Sequence, residues 1–402
     1  MTRNSGNSPT FRHLGIAVLA GTLMLSAGAV SAQEKIRIGG VLALSGGGVG
    51  SGISYRTGME MAAKEINAAG GIGGKQIELV FGDDQSDATM AVGETKRLLF
   101  QEKINLIVGP LFSGQALATA PVFVEGNGVS INASGSSKIN GTDTPNTFSM
   151  FLDVVTQTQA IVDYMAKVAK AKRVALLMDN GQQAREMIEQ FKIMIPKTGM
   201  ELAASQEYQA SQADMTPELL SLRKASPDLL FVNGTSGADF ARIMKGRDDI
   251  GWKVPVAASA VLSFLYREVV NTAGTKLLDG VSAQSFKALL FCATDPVGSS
   301  SYAQFLKRID PEALKKVSPI NTASGYDAVY LYKAAVEGSG GKTDGKTIAK
   351  WIEENGPKVE KVTIGRYSTT SSKHFLFGPE VLSMGEKFDQ PRSDGLFKQS
   401  GC

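Results

Sequence analysis

Histidine and cysteine are nearly absent from this chain. Its 402 residues include two of each: His13 and His374, Cys292 and Cys402. Zinc centres and Ser-His-Asp triads draw on such side chains at set spacings. No H-x-x-x-H, C-x-x-C or G-x-S-x-G occurs here. His374 stands in a Ser/Thr-rich stretch with nothing to set it beside a serine. Asp83-Asp84 has no third acid spaced to complete a metal site, and strand-end acids more often cap a loop. No metal, no cofactor and no catalytic set is therefore expected, and the chain is read as not an enzyme. Charge of one sign is lacking too. The net formal charge is +3, from 42 basic and 39 acidic residues. That balance gives no footprint for nucleic acid. The two cysteines can pair in an oxidising compartment or remain as thiols, since sequence separation does not set their distance.

Long apolar runs are missing except near the start. Arg3, Arg12 and His13 precede an apolar run from Leu14 to Leu25, and Val30-Ser31-Ala32 offers small residues for cleavage. This pattern is that of a secretory signal peptide over residues 1–32, with a mature start near Gln33. The run is shorter than the ~20 residues that span a bilayer. No cysteine follows the cleavage site, which argues against a lipoprotein. A soluble, monomeric periplasmic protein is expected.

What is abundant is alternation of strand and helix. Strands are expected at Ile36–Leu44, Gln76–Phe81, Ile104–Val108, Val129–Asn132, Arg173–Met178, Leu229–Asn233, Val254–Ala258 and Val281–Phe286. Helices are expected at Ile53–Ala69, Ala88–Glu102, Gln115–Val124, Val155–Ala169, Gln182–Ile195, Pro217–Lys224, Ala238–Arg247, Leu262–Ala273 and Ser324–Glu337. Strand then helix, repeated, implies α/β architecture with parallel sheets covered on both faces. The near-continuous apolar runs INLIVG and LLFVNG suit doubly covered strands. Two series of such units suggest two doubly wound lobes.

The most specific stretch is Gly58–Asp84, GMEMAAKEINAAGGIGGKQIELVFGDD. Met59, Ala62, Ala63 and Ile66 lie on one helical stripe. Gly70-Gly71 ends the helix, and Gln76–Phe81 alternates as a strand. This stretch resembles the leucine/isoleucine/valine (branched-chain amino acid) binding proteins of ABC transporters. Their pattern G-x-x-x-A-x-x-x-I-N-x-x-G-G-I-x-G stands here as Gly58, Ala62, Ile66-Asn67, Gly70-Gly71-Ile72 and Gly74. More thinly, the resemblance extends from Lys35 to about Phe377. It implies a type I periplasmic binding fold with three crossings between lobes, near Met150, Ser285 and Val362. One lobe would hold residues 33–150 and 286–361, the other 151–285 and 362–402.

Two glycine-rich stretches invite other readings. Gly340–Thr347, GGKTDGKT, matches the phosphate-loop string, but the residues before it have helical spacing, whereas that loop must follow a strand. A connection between helices fits better. Gly46–Gly52 follows the first strand but holds no G-x-G-x-x-G register. A flexible loop is expected there.

Ligands of open α/β sheets sit at the carboxyl ends of the strands. This chain places Ser- and Gly-rich loops there. Ser113 and Gly114 open a helix whose free N–H groups suit a carboxylate. Ser134, Gly135 and Ser136 add hydroxyls and amides, although serine also caps helices. The resemblance assigns the ligand carboxylate to Ser113 and to Ser134–Ser136. It points also to Ser51 with Tyr55 near the first strand, and to Gln183 and Ser236 in the second lobe. The family's acid for a ligand ammonium is missing from Pro255–Val261, PVAASAV. Asp239 could replace it or merely cap a helix, and Arg185 could meet a second anion or be a solvated helix residue. The expected function is the solute-binding component of an ABC importer. It would take a small carboxylate, amino acid or aromatic or other organic acid, and deliver it to a membrane permease. The alternatives are a secreted hydrolase and a ligand-sensing module.

Overall fold

The structure, a computed structural model, describes residues 34–402 and only isolated positions before them. The expected signal peptide and cleavage site lie outside the described residues. Among the described residues, no helix is long and apolar enough to cross a membrane.

Two sheets organise the chain. The first contains β1 (Ile36–Leu42), β2 (Ile77–Asp83), β3 (Leu106–Val108), β4 (Val129–Asn132) and β5 (Thr147–Ser149), in the order β2-β1-β3-β4-β5. All its pairings are parallel. The second contains β6 (Arg173–Asp179), β7 (Glu201–Tyr208), β8 (Leu229–Val232), β9 (Val256–Ala258), β10 (Val281–Phe286), β11 (Leu290–Phe291), β12 (Leu382–Glu386) and β13 (Phe397–Gln399). Its order is β11-β13-β12-β10-β9-β8-β6-β7. β12 runs antiparallel to β10 and β13.

Each sheet is apolar on both faces because helices cover both. Leu106 and Val108 of β3 join one core, while Ile107 between them joins another. In the second sheet, Leu230 and Val232 face one cluster and Leu229 and Phe231 the other. This period-two division is what parallel, doubly covered strands require.

The glycine-rich motif acts through close packing. A Cβ on Gly58 would lie 1.9 Å from the Thr322 carbonyl oxygen, and one on Gly325 would lie 2.3 Å from that of Tyr55. Helices Val49–Ala68 and Pro319–Gly338 therefore meet backbone to backbone. Further on, Gly70 and Gly71 both take positive φ as the first of these helices ends.

The chain passes between the sheets three times. The first passage follows β5 at Met150–Leu152, and the second follows β11, after Phe291. Residues 363–377 still lie beside the five-stranded sheet. Thr363 donates from N and Oγ1 to Asp327 (2.8 Å each), and Ser149 bridges Phe375. Only at β12 does the chain join the other sheet, so the third passage falls at 378–381 rather than near Val362. Phe151, Phe264, Phe286 and Phe377 pack together across these passages, with ring centroids 4.9–5.9 Å apart.

Cys292 and Cys402 form a disulfide, with Cα atoms 5.4 Å apart. It closes the sheet edge made by β11 and β13. Gly340–Thr347 joins helices Pro319–Gly338 and Gly345–Asn355, with Asp344 capping the second through the Thr347 amide (3.0 Å). His374 is buried, stacked on Phe148 at 4.1 Å, with Nδ1 3.0 Å from the Thr147 carbonyl and Nε2 3.1 Å from Glu353. Asp83 accepts from the amides of Leu44, Ser45 and Gln85, tying neighbouring loops together.

Candidate ligand-binding site

A cavity of about 490 Å³ lies between the two sheets, at the carboxyl ends of their strands. Ser113 and Gly114 line one wall. They open the helix Ser113–Glu125, whose cap residue Phe112 supplies no side-chain acceptor. The N–H groups of Ser113, Gly114 and Gln115 therefore have no partner within the helix. Ser113 Oγ accepts from Ser134 Oγ and from the Gly135 amide, both at 3.1 Å. With its acceptor sites engaged, the Ser113 hydroxyl can turn its own proton into the cavity.

Ser51 and Tyr55 line the same wall. Asn321 and Ser324 of helix Pro319–Gly338 join them, brought in by the Gly58/Gly325 contact. Asn321 Nδ2 donates to Ser51 Oγ (3.2 Å). Burial pushes the Tyr55 phenol well above its ordinary range, with a hydrogen bond to Ser324 opposing. It is a neutral hydroxyl at every physiological pH.

Gln183 lines the opposite wall, and its Nε2 donates to Gln157 (3.2 Å). Gly181, Ser211, Asn233 and Thr235 stand nearby. Phe112, Phe151, Phe264, Leu111, Val261 and Leu265 give the cavity its apolar surface. Val261 ends the segment Pro255–Val261, where the resemblance leads one to look for an acid.

The remaining expected residues do not line the cavity. Ser134 and Gly135 stand behind Ser113 and hold its hydroxyl. Ser136 Oγ donates across the cleft to Glu186 Oε1 (2.6 Å), beside Ser137, whose N and Oγ donate to Oε2 (3.0 Å each). Ser236 caps helix Gly237–Asp249 through the Asp239 amide (3.1 Å). Asp239 is buried away from the cavity and pairs with Arg242 at 2.5 Å. Arg185 is exposed and lies 3.8 Å from Glu207.

Two residues on the second wall open loops expected at the strand ends but were not among the expected site residues. Asp179, at the end of β6, and Asn233, just past β8, both line the cavity and are 1% and 4% exposed. Asn233 Nδ2 donates to Asp179 Oδ2 (2.6 Å), and the Gly181 amide donates to Oδ1 (2.7 Å). Burial raises the Asp179 carboxyl above its usual range, against these two bonds. Asn233 Oδ1 is buried and has no hydrogen-bond partner. The signal that could have found the pair is their placement at the ends of neighbouring strands. Among the described residues, no Lys, Arg or His lines the cavity.

Comparison with known proteins covers nearly the whole of this architecture. A sequence profile described as periplasmic binding protein matches residues 35–379. Leu/Ile/Val-binding protein homolog 3 of Brucella melitensis is 26% identical over 85% of this chain and 89% of its own length. Leu/Ile/Val-binding protein BraC3 of Rhizobium johnstonii is 23% identical over 90% of this chain and 96% of its own. Among solved structures, the branched-chain amino acid transporter substrate-binding protein LivJ from Streptococcus pneumoniae, in complex with isoleucine, superposes with a TM-score of 0.77. It is 22% identical and covers 90% of this chain and 98% of its own. An ABC-transporter solute-binding protein from R. palustris, in complex with 4-hydroxybenzoate, gives a TM-score of 0.74. It is 18% identical and covers 90% of this chain and 95% of its own.

Proposed function

The chain belongs to the periplasmic binding protein family, in its branched-chain amino acid type, and from that membership and the cavity we propose that it captures a small carboxylate for an ABC importer. The observation that carries this is the uncapped start of helix Ser113–Glu125, with the Ser113 hydroxyl held so that its proton can meet an acceptor. Backbone N–H groups and the positive end of a helix suit an anion without any cationic side chain. The relatives' names and bound ligands are branched-chain amino acids in some cases and a hydroxybenzoate in another. Both ligand classes share the carboxylate.

The two lobes follow the two sheets. Residues 34–150 and 301–377 make one, and 151–292 with 382–402 the other. Capture occurs by closure about the three passages, and the Ser136/Ser137–Glu186 bonds mark the closed arrangement. The closed surface of both lobes then meets the permease. Chemistry on the ligand has no part in this, so selectivity comes from which ligand groups are buried and paired. A secreted precursor and a monomeric mature protein complete the reading.

A thermal-shift screen of amino acids, aromatic acids and short dicarboxylates tests it. A ligand of the native state at a hundredfold excess over its Kd adds about 2.7 kcal/mol of stability. A response to carboxylates, absent with their methyl esters, is expected. A response to sugars or cations alone would overturn the reading.

A further inference from the structure

The second wall of the cavity is built to receive hydrogen-bond donors. Asp179 uses two of the roughly four acceptor positions of a carboxylate, on Gly181 and Asn233. Asn233 turns its amide nitrogen to that carboxylate, which leaves Oδ1 facing no donor. Both side chains are more than nine-tenths buried and both line the cavity. A buried acceptor without a donor costs free energy, and a ligand that brings a donor recovers it.

The first wall is the reverse. It offers helix N–H groups and the Ser113 hydroxyl, which are donors awaiting an acceptor. Phe112, Phe151, Phe264, Leu111, Val261 and Leu265 make much of the rest of the lining apolar. The cavity thus has an anion pole on one sheet, a donor-seeking pole on the other, and an otherwise largely apolar lining.

We infer that the ligand is a carboxylate whose apolar body ends, away from the carboxylate, in a hydroxyl or amino group that donates to Asp179 and Asn233. This rests on the carboxylate reading of the helix start and narrows it. An unsubstituted aliphatic or aromatic acid would leave Asn233 Oδ1 unpaired. A branched-chain amino acid carries its donor beside the carboxylate, on the wrong wall. Sites that place hydrogen-bonding groups for a substrate hydroxyl discriminate strongly against analogues that lack it.

Calorimetric titration with benzoate, 4-hydroxybenzoate and leucine tests the assignment. The native protein is expected to bind 4-hydroxybenzoate at least tenfold more tightly than benzoate, and leucine more weakly than either. In the Asp179→Asn variant the ratio of the two benzoate affinities should narrow severalfold. The comparison within the native protein needs no variant, so a variant that fails to fold does not shield the claim. Equal binding of the two benzoates overturns the donor-seeking pole and leaves the carboxylate reading standing. Tight leucine binding without a response to 4-hydroxybenzoate overturns it in favour of an α-ammonium. Binding of none of the three overturns it together with the carboxylate reading.

Discussion

Removing Glu186, which does not itself line the cavity, should loosen the grip on ligand. Glu186 lies on the helix Gln182–Met194, yet its carboxylate accepts three bonds from the loop after β4 in the other sheet. These come from Ser136 Oγ (2.6 Å), Ser137 N (3.0 Å) and Ser137 Oγ (3.0 Å). None of the three bonds is fully buried, and such solvent-screened contacts are worth about 0.2–1 kcal/mol each. Their sum, about 0.6–3 kcal/mol, centres on about 1–2 kcal/mol for the closed arrangement. Glu186→Ala should lower the closed population relative to the open by roughly five- to thirtyfold, and apparent affinity falls in proportion. Most of the change should appear as faster ligand release. Calorimetry gives the affinity, stopped-flow the release rate, and small-angle scattering the compaction on adding ligand. A folded Glu186→Ala protein with affinity and release rate within twofold of native would refute the reasoning.

Other positions make separate predictions. Ser113→Ala removes the hydroxyl proposed to meet the ligand carboxylate and should cost about 1.5–3 kcal/mol, tenfold or more in Kd by titration. Burial raises the Asp327 carboxyl from 3.8 to about 7, against the bonds from Thr363 and Ile364. The folded chain then holds that proton more tightly than the unfolded one. Its contribution is fullest below pH 3.8, is lost as pH rises to about 7, and is flat above. That loss is roughly 4 kcal/mol at most, so urea unfolding of native against Asp327→Asn should show the native advantage falling between pH 4 and 7. A Cys402→Ser change opens the bridge across 110 residues and should cost about 2–4 kcal/mol, read as a lower Tm that added reductant no longer changes.

How much was legible depended on whether a residue's neighbours were close in sequence. β4 and β10 stand at their expected bounds because VSIN and VSAQSF are short, turn-bounded segments in an alternating chain. The four helices expected in the first lobe agree within about five residues, but Ser301–Leu306, Pro311–Leu314 and Gly345–Asn355 were not expected, and the expected helix Leu262–Ala273 is broken at Leu265 into Ala260–Phe264 and Tyr266–Ala273. β7 reads ELAASQEY, with little apolar content, because it is an edge strand made by pairing with β6. β12 exists through pairing with β10, about a hundred residues away, and β13 through pairing with β12 and β11, which no local pattern encodes. The same divide runs through the cavity. Ser113 and Gly114 announce themselves as a strand-to-helix turn. Asp179 and Asn233 lie 54 residues apart and meet only because β6 pairs with β8, as Leu177 pairs with Val232. Ser134 and Ser136 have the composition of a binding loop, but their hydroxyls are occupied by the protein itself.

The phenylalanines at the three passages also shape the cavity, since Phe151 and Phe264 belong to both. Ligand fit and lobe motion therefore share atoms. Redesign of this scaffold as a sensor for a larger solute, by trimming Phe264, would leave a void at the pivot as well as room for the analyte. Signal amplitude and selectivity would then change together. A designer who wants them independent should alter the cavity through Val261 or Thr235, which lie outside the aromatic cluster.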